Sequence, residues 1–90
     1  MKFLPELRDF LLEHGVIYTV RGYDMKPAWV DVVGIGCCRR TPLGGIHSRI
    51  HLVPYVGLSG FSDVEGWWSK IGKFVVPGQG MWLYKVEVKR

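Results

Sequence analysis

Ninety residues and 10.3 kDa allow one domain of about two packed layers of secondary structure. A composition of 48% hydrophobic, 13% aromatic and 22% charged residues excludes a disordered chain. Charge-free runs are short and interrupted by Gly, Pro and Gln, which excludes a membrane-spanning helix. Glu6, Arg8, Asp9 and Glu13 break up the apolar stretch that an export signal requires. The net charge of +4 suits an anionic partner. Between residues 16 and 53, Arg21, Lys26, Arg39, Arg40 and Arg49 outnumber Asp24 and Asp31, so the excess lies in the middle of the chain, with a second share in the tail.

The first element is a helix. Pro5 suits its first turn, Phe3, Leu4, Leu7, Phe10, Leu11 and His14 recur at helical spacing, and Gly15 ends it. Val16 to Tyr23 is rich in β-branched and aromatic residues and predicts a strand, with Val16, Tyr18 and Val20 on one face and Ile17, Thr19 and Arg21 on the other. A third element runs from Trp29 through Gly34 and Gly36 into Cys37. Arg39 to Gly45, with Pro42 and a glycine pair, reads as a connection. The alternation from Ile46 to Val53 then predicts a strand with one wet side. Ser62 and Glu65 form a capping box for a second helix, with Val64, Trp67, Trp68 and Ile71 on its apolar face and Gly72 as its end. Pro77 to Gly80 predicts a turn, and Met81 to Lys89 a last strand. Trp68 and Trp82 are expected in the core.

Cys37 and Cys38 are neighbours. In a strand they point to opposite faces and cannot staple distant segments, which favours a reducing, cytoplasmic setting. His47 and His51, on one strand, would stand about 13 Å apart, too far for one metal ion. No cofactor is expected. Gly34-Ile35-Gly36 lacks the third glycine of a dinucleotide fingerprint, and Ser59 lacks the spacing of a nucleophile elbow. The start of the second helix, with Ser59, Gly60 and Ser62, is a candidate anion site because free N–H groups and the helix dipole meet there.

The leading constellation is basic and aromatic. Thr19, Arg21, Arg39, Arg40, Arg49 and Lys85 are interspersed with Tyr18, Tyr23, Trp29, Tyr55 and Trp67. Arginine forks match phosphates and base edges, and aromatic planes stack on unpaired bases.

Several residues carry a resemblance. Thr19-Val20-Arg21 follows a helix, Val32 to Gly36 is Gly-rich, Leu58-Ser59-Gly60-Phe61-Ser62 leads into a tryptophan-bearing helix, and Leu83-Tyr84-Lys85-Val86 stands near the end. This order resembles the PUA-like superfamily and, within it, the small ASCH domains, over nearly the whole chain. The resemblance implies an α+β fold: a small, strongly bent mixed β-barrel flanked by two helices, binding RNA or nucleotides in a cleft beside the barrel. The ASCH signature Gly-x-Lys-x-x-Glu-x-Arg is matched by Gly15 to Arg21 only in its glycine and arginine, one residue short. Without the lysine and glutamate, the resemblance implies binding rather than hydrolysis, with Arg21 and Thr19 lining the cleft.

The sequence therefore predicts a non-catalytic RNA- or nucleotide-binding module, a monomer or weak oligomer. Two alternatives stand beside it: a small nucleoside or amide hydrolase using Thr19, Lys85 or a histidine, and a protein-interaction module with Trp29 and Tyr55 as exposed anchors.

Overall fold

The computed structural model describes residues 1–73, 75 and 80–89; the turn expected over Pro77 to Gly80 falls largely outside them. Helix α1 is Pro5–His14, with proline in its first turn. It stops at Gly15, whose φ of 77° lets its N–H bond the Leu11 carbonyl at 2.7 Å. Strands β1 (Val16–Arg21), β2 (Ala28–Val32) and β3 (Gly36–Ile46) follow, then a 3-10 helix (Arg49–Leu58), α2 (Val64–Ile71) and β4 (Met81–Val88).

The strands form one antiparallel sheet in the order β1-β4-β3-β2. This corrects the expected barrel. Closure would need β1 and β2 to pair, yet they are the two edges of an open sheet, and the strands are antiparallel rather than mixed. The N-terminal segment reaches both edges instead. Val33 N–H donates to the Met1 carbonyl at 3.1 Å beside β2, and Arg21 of β1 donates to the Lys2 carbonyl at 3.4 Å.

The third strand is also corrected. Arg39 to Gly45 is strand, not a connection, and Ile46 to Val53 is mostly 3-10 helix. Pro42 is tolerated because the β2 ladder ends at Arg40, leaving one side of β3 unpaired beyond it. A register shift between Pro42 and Gly44 absorbs the irregularity.

Both faces of the sheet carry core. On one, Phe3 and Leu11 pack with Ile17, Val32, Cys38 and Val86. On the other, Leu52, Trp67 and Ile71 pack with Val20, Ile46 and Leu83. Each fully buried aliphatic side chain contributes about 1.5–3 kcal/mol. Of the tryptophans, Trp67 is buried, while Trp68 and Trp82, the two expected in the core, are half-buried. Tyr84 is buried too, and its hydroxyl donates to the Tyr23 carbonyl and accepts from Met25 N–H at 2.7 Å, pinning the segment after β1. No helix among the described residues is long and apolar enough to cross a membrane.

Candidate functional site

The outer edge of β1 lies between the start of α1 and the face of α2. The cavity there has a volume of about 420 Å³. Thr19, Val20 and Arg21 form its floor, Phe3, Leu4 and Leu7 one wall, and Phe61 and Trp67 the other. Lys2, Lys70 and Lys73 complete the lining, so four cations meet an otherwise largely apolar cleft. Among the described residues no carboxylate lines it.

The cleft is blocked at one end. Gly60 has φ 85°, and a Cβ there would stand 2.5 Å from Leu7 Cδ2 and 3.7 Å from both Ile17 Cδ1 and Phe10 Cγ. The loop before α2 therefore rests on α1 across the edge of β1 at Ile17, leaving only Thr19 to Arg21 open. This makes a pocket for a compact ligand rather than a groove for an added strand.

Arg21 is the distinctive group. It is half-buried, its guanidinium carbon lies 5.1 Å from the Phe3 ring centroid, and its one described hydrogen bond is the long contact to the Lys2 carbonyl. No carboxylate pairs with it among the described residues. Burial lowers its pKa from the ordinary arginine value, with a smaller opposing pull from Tyr23. It is a partly desolvated guanidinium with no carboxylate partner among the described residues. Thr19 is buried beside it.

The other sequence candidates are dispersed. Arg39 and Arg40 are adjacent in β3 and so point to opposite faces. Arg39 lies over the Trp29 ring at 5.5 Å, whereas Arg40 donates to the Lys26 carbonyl at 3.0 Å and buries its Nε without a partner. Arg49 pairs with Glu65 at 3.1 Å, and Lys85 with Glu87 at 3.2 Å. Neither Arg49 nor Lys85 lines the cleft.

At α2 the expected Ser62/Glu65 capping box does not form. Asp63, not Ser62, is the N-cap and accepts from Gly66 N–H at 2.7 Å, while Glu65 turns to Arg49. The Asp63 carboxylate thus occupies the position offered to an anion. Ser59 is buried and spends its hydroxyl locally, donating to the Val56 carbonyl at 2.7 Å and accepting from Phe61 N–H at 3.1 Å. Ser62 and Gly60 are exposed.

His47 and His51 are not on a strand. His47 N–H donates to His51 Nδ1 at 3.1 Å, and no metal-competent cluster of His, Cys, Asp or Glu occurs among the described residues. Tyr55 is half-buried against Tyr18 at 5.0 Å, whereas Trp29 is exposed. Sequence reasoning passed over Lys2, Lys70 and Lys73. The signal for two of them was available, since residues three apart near a helix end share a face; Lys2 joins them only through the tertiary path of the N-terminal segment.

Fold and cleft together define a small α+β protein with a cation-lined pocket at a sheet edge. No family model, curated protein or solved structure matches the chain.

Proposed function

We propose that this chain is a binding module for a nucleotide or a nucleotide unit of RNA, held in the cleft beside β1 without catalysis. The observation that carries the reading is Arg21: a partly desolvated guanidinium without a carboxylate partner, in a pocket with three lysines and no acid among the described lining residues. A phosphate supplies the missing counter-charge and accepts two parallel N–H bonds from the guanidinium fork. Lys2, Lys70 and Lys73 add charge around it. The apolar walls and the Phe61 ring, stacked on Trp67 with centroids 6.4 Å apart, receive the base. The Thr19 hydroxyl adds a polar contact on the floor. A cavity of this volume is of the size that encloses small molecules.

The test is a tryptophan-fluorescence titration with mononucleotides and short RNA at two salt concentrations. Saturable, salt-weakened binding is expected, and Arg21→Gln should weaken it at least about tenfold, the loss of a charge-assisted hydrogen bond. Equal affinity in wild type and Arg21→Gln would reject the assignment of the site.

A further inference from the structure

A second surface lies at the opposite edge of the sheet. Trp29 on β2, Arg39 on β3 and Glu87 on β4 share one row of the ladder, and the next row on that face holds Asp31 and Cys37. Trp29, Cys37, Arg39 and Lys89 are all exposed, because the 3-10 helix and α2 cover this face at its other end, over Val20 and Leu83. Trp29 keeps 55% of its surface open although two cations approach it, Arg39 at 5.5 Å and Lys89 at 5.7 Å from the ring centroid. Two described acids share this face: Glu87, directly across from Arg39 and paired with Lys85 at 3.2 Å, and Asp31.

We propose that this face is a stacking platform for single-stranded nucleic acid, with one base on the Trp29 indole and the flanking phosphates on Arg39 and Lys89. An indole offers a π-face to any base, and two cations beside it match the phosphates that precede and follow a stacked base. The arrangement favours a nucleic acid over an apolar protein partner, because two cations, Arg39 and Lys89, lie over the exposed indole, while Glu87 in the same row is held by Lys85. The inference rests on the nucleotide reading of the cleft and deepens it. Three strand spacings, about 14 Å, separate the two sheet edges, so only an oligomer can occupy both sites.

The experiment compares AMP, a ten-nucleotide RNA and the matching DNA on wild type, Trp29→Ala, Arg39→Gln/Lys89→Gln and Arg21→Gln, by calorimetry at two salt concentrations. Trp29→Ala should weaken both oligomers about tenfold and leave AMP unchanged. The double variant should reduce the salt slope by about one unit per lost phosphate contact. The oligomers should also slow Cys37 alkylation, which AMP should not. A preference between RNA and DNA identifies which strand the platform takes. Oligomer affinity unaffected by Trp29→Ala, with AMP binding intact, overturns the platform and leaves the cleft standing. Failure of AMP to bind, with Trp29-dependent oligomer binding, overturns the cleft reading and retains the platform as a separate site.

Discussion

At the residue scale, Arg21 and Tyr84 separate the charge proposed to hold a ligand from a contact that holds the fold, whereas Gly60 serves both. Arg21 is partly desolvated without a carboxylate partner among the described residues, so its charge opposes folding, and the cation–π contact with Phe3 offsets part of that cost. Arg21→Gln should leave chemical-denaturation stability within about 1 kcal/mol of wild type, the size of the lost cation–π contact, while weakening ligand binding at least about tenfold. Tyr84 behaves in the opposite way. Its hydroxyl joins two backbone groups of the segment after β1, and Tyr84→Phe should cost about 1–3 kcal/mol in the same measurement. Gly60→Ala would force a positive φ and a clash with Leu7, so a comparable loss is expected there, together with a distorted cleft. Cys38 adds a pH signature. Burial, and secondarily the neighbouring Cys37, raises its thiol pKa above the ordinary value of 9.0. A raised folded-state value means that this contribution to stability is fully present below about pH 9 and is lost as pH climbs through the higher folded value. Urea midpoints from pH 8 to 10.5 should therefore fall more steeply for wild type than for Cys38→Ala.

At the scale of elements, the misread segment is instructive. Pro42, Gly44 and Gly45 have the residue types of a loop, yet they lie in an eleven-residue strand. The missing N–H is tolerable only where β3 has lost its β2 neighbour, a fact of pairing that no local pattern contains. Ile46 to Val53 alternates as a strand should, but the structure exposes Ile50 and buries Leu52. Arg49, Leu52 and Tyr55 recur every third residue, the period of a 3-10 helix, and that period was hidden within the alternation. The Arg49–Glu65 pair joins this helix to α2, with both side chains more than half exposed. Such pairs contribute little, so Glu65→Gln should shift stability by no more than about 1 kcal/mol, less in salt.

For the whole molecule, the sheet has helices on both faces, and the N-terminal segment reaches both of its edges. Much of its core was legible: Leu11, Ile17, Val20, Trp67, Ile71 and Val86 occupy the helix and strand positions that periodicity assigned them. Strand order was not legible, because pairing β4 between β1 and β3 depends on contacts far apart in sequence. The barrel implied by the ASCH resemblance failed at that step, with the N-terminal segment and α1 lying where closure would have occurred. The site was legible in part. Arg21 and Thr19 do meet in one cleft, but Arg39, Arg40, Arg49 and Lys85 scatter once strand alternation and surface ion pairing are known.

The central claim is that the β1 cleft binds a nucleotide through Arg21. Its most direct test is the thermal unfolding midpoint of wild type and Arg21→Gln, each with and without AMP. A ligand at a hundred times its dissociation constant stabilises the folded state by about 2.7 kcal/mol. Wild type should therefore melt several degrees higher with the nucleotide, and a variant at least about tenfold weaker, Arg21→Gln, should show no more than about half of that shift. An equal shift in both proteins, or none in wild type at millimolar AMP and low salt, would contradict the account.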